Sequence, residues 1–248
     1  MTTVITGAAN GLGRALALAC IERGESVLAI DLDAAALAEI DGAQPLAFDL
    51  TAPDAAQSII AALETPVACI IHCAGISGTG RFEDIPAEHH ARIMALNFTA
   101  PVQITAALLA ANACAPTAKH VFVGSLSTFT GYPGATSYAA SKDGLSSFTH
   151  SLRKSLPRGM SSHCVYPGPL RTDHAARYAP DNSEATVARR QSPEEAAALI
   201  LTAMDRRRRA IFPGWKTRAF AFAGRILPGP VGRTLRQSLF ETLKEPKL

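Results

Sequence analysis

Residues 3–31 read TVITGAANGLGRALALACIERGESVLAID, and this stretch decides the fold. Thr3 to Thr6 is a short, β-branched run, the composition of a strand. Gly7-Ala-Ala-Asn-Gly-Leu-Gly13 follows without a spacer, and Arg14 to Arg23 then reads as a helix with Gly24 as its C-cap. Ser26 to Ile30 is a near-continuous apolar run that ends at Asp31. Strand, glycine turn, helix, strand and terminal acid make a βαβ unit. The glycines have separate tasks: one permits the tight turn, one lets the backbone approach a pyrophosphate, and one lets the helix pack closely on the strand. The first helical turn offers N–H groups and a positive dipole end to phosphates. Asp31 lies 18 residues after Gly13. A carboxylate there accepts hydrogen bonds from an adenosine ribose and repels a 2′-phosphate, which favours NAD(H) over NADP(H). Arg14 beside the turn keeps NADP(H) as the alternative.

Outward from this unit the alternation continues. Helices are expected over Asp33–Ile40, Asp54–Leu63, Ala87–Leu96, Pro101–Ala113 and Ser137–Leu156. Strands are expected at Pro45–Phe48, Val67–His72, Lys119–Val123, Ser162–Val165 and Ala210–Phe212. Ser192-Pro-Glu-Glu195 has the N-cap, first-turn proline and acids of a helix start. Strands separated by helices imply a three-layer, doubly wound parallel sheet, a Rossmann-like α/β fold. Residues 1–213 are read as one dinucleotide-binding catalytic domain, and 214–248 as a C-terminal helical extension.

The second informative stretch is Val121 to Lys142, VFVGSLSTFTGYPGATSYAASK. A strand passes through a Gly/Ser/Thr/Pro loop into a helix carrying Tyr138 and Lys142, which four-residue spacing puts on one face. A phenol beside an ammonium has its phenolate favoured and can exchange protons near neutral pH. Ser125, at the strand end, can be brought to the pair.

Bulk properties set the frame. The chain of 248 residues is 48% hydrophobic and 18% charged, a globular composition. No basic and apolar leader opens the sequence. No uninterrupted apolar stretch approaches the ~20 residues of a membrane span, the richest candidate being Ala100–Ala115. Five scattered cysteines, odd in number, indicate reduced thiols and a cytoplasmic protein, and His72-Cys73 has poor metal-site geometry, so no metal is expected. The net charge of +3 is uneven: from Asp205 onward there are 11 Lys/Arg and 3 Asp/Glu.

These pieces together resemble the single-domain short-chain dehydrogenase/reductase family over roughly residues 3–213. The motifs are Thr6-Gly7-x-x-x-Gly11-x-Gly13, Asn97 within LNFTAP, Ser125 placed 13 before Tyr138, Tyr138-x-x-x-Lys142, and Pro167-Gly-Pro-Leu-Arg-Thr172. The resemblance implies that Thr6, Gly7, Gly11, Leu12 and Gly13 shape the dinucleotide site. Asp31 would contact the adenosine ribose, with Asp49 and Leu50 flanking the adenine. Ala74 and Gly75 match the end of a cofactor-side Asn-Asn-Ala-Gly motif. Asn97 would hold a proton-relay water, Ser125 would bond the substrate oxygen, and Tyr138 would exchange its proton. Lys142 would hold the nicotinamide ribose and favour the phenolate. Pro167, Gly168, Leu170 and Thr172 would close over the nicotinamide. The implied activity is NAD(H)-dependent interconversion of a secondary alcohol and a ketone or aldehyde, by a homodimer or homotetramer acting on a small molecule. His72-Cys73 departs from the family's Asn-Asn, and His72 is read as a core histidine, as are His89, His90, His150 and His163.

Specificity is expected from the Gly131–Thr136 loop and from Asp173–Gln191, read as a mobile lid. In the tail, Val231, Leu235, Leu239 and Leu243 recur every four residues, and Pro228-Gly-Pro230 separates them from Phe220, Phe222, Ile226 and Leu227. Docking on the protein's own domain or a sister subunit is preferred for the tail, ahead of capping an apolar pocket and of lying on an anionic membrane. No nucleic-acid partner is expected. An epimerase or dehydratase would need a substrate domain for which the chain has no room, and a non-catalytic sensor would lack Tyr138.

Overall fold

The computed structural model describes residues 1–179, 182–243 and 245–248. Pro180, within the expected lid, and Lys244, within the basic tail, lie outside the described residues, as does Asp181. The strands are β1 (Thr2–Thr6), β2 (Ser26–Asp31), β3 (Ala43–Ala47), β4 (Val67–His72), β5 (Cys114–Val123), β6 (Ser161–Val165) and β7 (Ala210–Ile211). They form one seven-stranded sheet in the order β3-β2-β1-β4-β5-β6-β7, and every pairing is parallel. The helices are α1 (Gly11–Glu22), α2 (Ala34–Ala38), α3 (Ala55–Ala61), α4 (Ala87–Met94), α5 (Ala100–Ala110), α6 (Thr136–Ser155), α7 (Asp173–Tyr178), α8 (Glu184–Ala188), α9 (Pro193–Asp205), α10 (Trp215–Ile226) and α11 (Pro228–Leu235).

Successive strand residues point to opposite faces, so a strand buried on both sides feeds two cores. Ile5, Ile71 and Val121 pack with Leu12 and Leu16 of α1 and Ala196 and Ile200 of α9. Their neighbours Val4 and Ile70 pack on the other face with Ile59 of α3 and Ile104 and Leu108 of α5. This is the three-layer architecture expected from the alternation.

Three local expectations are corrected. Helices α4 and α5 are one continuous rod joined by a π-turn over Ala95–Thr99. The rod Ala87–Ala110 is thereby long and apolar enough to cross a membrane by length and composition. Its inner face, with Ile93, Ala100, Ile104 and Leu108, is buried. The segment 173–191 carries two short helices, α7 and α8, fastened by an isolated bridge between Leu170 and Gln191. Pro228-Gly-Pro230 is the first turn of α11 rather than a spacer, because proline is tolerated where no intrahelical N–H bond is made.

Most of the histidines read as structural have partners. His72 Nε2 lies 3.1 Å from Thr105 Oγ1 and its ring stacks on Phe122 at 4.9 Å. His89 meets the Ser77 carbonyl, and His90 meets the Ser137 hydroxyl. His120 differs: it is fully buried, and neither ring nitrogen has a hydrogen-bond partner among the described residues. Burial first, and then His163, pushes its pKa down to about 4, while burial takes His72 down to about 3. Between pH 4 and the ordinary histidine value of about 6.5 the unfolded chain therefore binds protons that the native state refuses. Stability is present above that window and is lost as pH falls through it, by about 3 kcal/mol for His120 alone. Denaturant midpoints at pH 7 and pH 4.5 should show this loss, and His120→Leu should flatten it. Equal pH dependence in wild type and variant would remove His120 as the cause.

Candidate active site

The residues singled out in the sequence gather at the C-terminal edge of the sheet, where open parallel sheets bind ligands. Thr6 ends β1, and its Oγ1 accepts hydrogen bonds from the N–H groups of Cys73 (3.1 Å) and Ala74 (3.2 Å), tying the exit of β4 to the glycine turn. Gly7 has φ +72°, and a Cβ on it would lie 2.7 Å from Ala74 Cα. A Cβ on Gly11 would meet the Thr172 methyl at 3.1 Å, and one on Gly13 would fall 1.9 Å from the Gly7 carbonyl oxygen. Asn10 caps α1 without a side-chain hydrogen bond, and Arg14 N–H makes the bond to the Asn10 carbonyl. The N–H groups of Gly11, Leu12 and Gly13 are thus the ones a phosphate could use.

Asp31 turns back over this turn. Its Oδ2 accepts the Ala9 N–H at 3.1 Å and its Oδ1 the Leu32 N–H at 2.7 Å. Asp49 is exposed, and its Oδ1 accepts from the Thr51 N–H and hydroxyl, bonds that lower its pKa. Leu50 is buried in the core with Val4, Leu28 and Ile59. A narrow backbone cradle, an open helix end and a carboxylate turned back over the glycine turn fit a dinucleotide.

Two strands along from β1, past β4, β5 leads into the second half of the site. Ser125 caps a short 3-10 turn, Leu126–Phe129, by accepting the Ser127 N–H at 3.2 Å. Its hydroxyl faces the Tyr138 phenol and lowers that phenol's pKa. Lys142, one turn along α6, donates to the Val123 carbonyl at 2.8 Å, and its Nζ lies 5.8 Å from the Tyr138 ring centroid. Asn97 sits on the π-turn, fully buried. Its Oδ1 accepts the Ile76 N–H at 2.9 Å, and its Nδ2 donates to the Ile76 carbonyl at 2.9 Å and to Ser141 Oγ at 3.0 Å. Gly75 is enclosed between them: a Cβ there would be 3.1 Å from Asn97 Oδ1 and 3.4 Å from Lys142 Nζ. Asn97, Ser125, Tyr138 and Lys142 therefore form one cluster, while Asp31, Asp49 and Leu50 lie toward the β2–β3 side.

The electrostatics differ from the sequence expectation. Burial pushes the Tyr138 phenol up to about 12, opposed by the Ser125 hydrogen bond, and burial brings Lys142 down to about 8. Desolvation penalises phenolate and ammonium alike and is the largest cause of both shifts. The tyrosine rests as a phenol.

The family described as short chain dehydrogenase matches residues 1–183. The chain belongs to that family. An uncharacterized oxidoreductase of Myxococcus xanthus is 33% identical to this short-chain dehydrogenase over 187 residues, covering 71% of this chain and 74% of the relative. Among solved structures, a Sphingobium yanoikuyae short-chain dehydrogenase in complex with NADPH matches with a TM-score of 0.77 at 24% identity, over 98% of this chain and 96% of that one. A Burkholderia phymatum short chain dehydrogenase/reductase in complex with NAD also gives 0.77, at 22% identity, over 89% and 91% of the two chains. At these identities the likeness is one of fold.

Two groups beside this dehydrogenase's tyrosine were not singled out as site residues. Tyr132 meets Tyr138 edge-on at 6.3 Å, and its only signal is its place in the Gly131–Thr136 loop. His174 of α7 lies 6.3 Å from Tyr138 and 4.8 Å from Tyr178, with its pKa brought down to about 4 by burial. Thr172 caps α7 by accepting the Ala175 N–H. The Pro167–Thr172 segment runs from β6 past α10, where a Cβ on Gly168 would meet the Thr217 methyl at 2.9 Å. The tail folds back on its own chain. Leu243 and Phe240 lie against Gly134, and Lys247 pairs with Thr79 in an antiparallel bridge (N···O 3.0 and 2.7 Å). The Lys247 ammonium donates to the Ala179 carbonyl, and the Thr79 hydroxyl to the Tyr178 carbonyl, so the terminal segment fastens the end of α7.

Proposed function

We propose that this short-chain dehydrogenase interconverts a small secondary alcohol and its ketone or aldehyde with NAD(H). The observation that carries the reading is the joining of Ser125, Tyr138 and Lys142 to the glycine cradle along one sheet edge. When bound, the nicotinamide supplies the hydride acceptor for oxidation and the donor for reduction. The cradle and Asp31 would hold the dinucleotide's pyrophosphate and adenosine ribose, with Asp49 beside the adenine. Lys142 would hold the second ribose, and the Pro167–Thr172 segment would cover that end. The Ser125 and Tyr138 hydroxyls would grip the substrate oxygen. As a buried phenol, Tyr138 is ready to protonate a carbonyl oxygen in reduction, and in oxidation it takes the proton back. The Lys142 ammonium stabilises the phenolate that forms transiently, and Asn97 orders the groups through which its proton exchanges. The protein would act in the cytoplasm as a homo-oligomer.

The test is nicotinamide absorbance change across a panel of secondary alcohols and ketones, with NAD(H) and NADP(H) in parallel. Dinucleotide binding without turnover on any member would favour a sensor. Because the Asp31 carboxylate is pinned by the Ala9 and Leu32 N–H groups, it cannot swing clear of a 2′-phosphate. NADH should bind about tenfold or more tightly than NADPH. Asp31→Asn keeps the shape, removes the charge and should close most of that gap. A titration in which NADPH binds the wild type as well as NADH would overturn the NAD assignment.

A further inference from the structure

Helix α10 has two apolar faces, and one of them is covered. Thr217, Ala221 and Gly224 are buried. Ala221 joins Leu126, Cys164 and Tyr166, and a Cβ on Gly224 would fall 2.5 Å from the Thr130 methyl. On the other face Trp215, Ala219, Phe222 and Ile226 follow one another at four, three and four residues, a single stripe along the helix. Trp215 is 76% exposed, Phe222 68%, Ile226 59% and the adjoining Leu227 54%. By helical spacing, Arg218 and Arg225 border the stripe on one side and Lys216 on the other. Single exposed apolar residues are ordinary, but a contiguous stripe of this kind marks an interaction surface.

The charge around it identifies the partner. From Trp215 to Phe240 there are five cations, Lys216, Arg218, Arg225, Arg233 and Arg236, and no carboxylate. The next acid, Glu241, sits 3.6 Å from Arg236. A two-fold pairing of this face with a second copy would set cations against cations. A lipid surface with anionic headgroups matches both features, since Trp and Phe settle at the headgroup boundary while flanking Lys and Arg meet the phosphates. We propose that the exposed face of α10 docks this protein on an anionic membrane surface, with Trp215, Phe222 and Ile226 entering the headgroup–acyl boundary. The same helix packs on Phe129 and Thr130, so the docked protein would hold the active-site edge beside the bilayer.

Trp215 is the protein's single tryptophan, so its fluorescence reports the surface directly. The full chain is titrated with phosphatidylcholine vesicles with and without phosphatidylserine, at low and high salt, with brominated acyl chains as quenchers. Expected are a blue shift and quenching with the anionic vesicles, lost at high salt and absent with phosphatidylcholine alone. Arg218→Gln and Arg225→Gln should each weaken partitioning about fivefold. Phe222→Asp, at an exposed position away from the cofactor cradle, should abolish it without changing NADH binding. Unaltered emission with anionic vesicles overturns the proposal, as does equal binding to neutral ones or undiminished binding by Phe222→Asp. A lipid-free, concentration-dependent shift with doubled mass assigns the face to a second copy instead. A shift with polyglutamate and none with vesicles assigns it to an acidic protein.

Discussion

Tyr138→Phe is expected to lower turnover by about a hundredfold to ten-thousandfold, the range for removing a general acid or base. NADH affinity should change by less than about twofold, because the phenol oxygen is not part of the glycine cradle. The substitution isolates the proton. The ring keeps its edge contact with Tyr132 and its approach to His174, so the packing around it survives. The hydrogen-bonding partner left behind, the Ser125 hydroxyl, still accepts the Ser127 N–H. A melting temperature within a few degrees of wild type is therefore the control that separates lost chemistry from lost structure. Full turnover in the variant would show that another group moves the proton, and the cluster would then be a structural one. The elevated phenol pKa also gives a direction. Near neutral pH the resting tyrosine carries its proton, so in the proposed mechanism reduction would meet a ready acid, while oxidation would first need the phenolate beside Lys142. The oxidation rate of the wild type should accordingly rise with pH more steeply than the reduction rate.

The sheet was legible in the sequence because strands buried on both faces leave unbroken apolar runs. Val67–His72 matches residue for residue, and Ser26 is the start of β2 in both readings. The glycine turn was legible for a steric reason, since only glycine fits where Gly13 meets the Gly7 carbonyl. Other features depend on packing that a linear reading does not contain. The expected helices stop at Leu96 and restart at Pro101, yet the rod passes between them, and Pro101, which has no N–H to give, follows directly on the π-turn whose last bond runs from the Ala100 N–H to the Ala95 carbonyl. The π-turn, which turns the Asn97 amide inward to Ile76 and Ser141, has no periodicity of its own. Helices of five and six residues in 173–191 are too short to show a face, so the segment read as loop. The spacing of Tyr138 and Lys142 gave their proximity correctly but the sign of the tyrosine shift wrongly. Proximity is a matter of helical period, whereas the shift depends on how much water the folded chain removes from both groups.

Gly13→Ala is expected to be the most damaging single methyl in the protein. Its Cβ would lie 1.9 Å from the Gly7 carbonyl oxygen and 2.6 Å from the Gly7 carbonyl carbon, both main-chain atoms that no rotamer change can move aside. Relief requires α1 to lift from β1 by more than an ångström. That motion is opposed from above, because Leu12 and Leu16 of α1 are packed into one core with Ala196 and Ile200 of α9. Alanine's helix propensity returns about 1 kcal/mol, against an overpacking cost of about 3 kcal/mol or more at so short a contact. The melting temperature should fall by about 5 °C or more, and dinucleotide affinity by about a hundredfold, since the displaced turn no longer presents its N–H groups to the pyrophosphate. Gly229→Ala is the matched control: nothing among the described residues lies within 4 Å of its would-be Cβ, and its φ is not positive. That variant should stay within about 0.5 kcal/mol of wild type. If Gly13→Ala bound NADH normally and melted with the wild type, the close approach of α1 to the Gly7 carbonyl would be wrong, and with it the cradle on which the cofactor assignment depends.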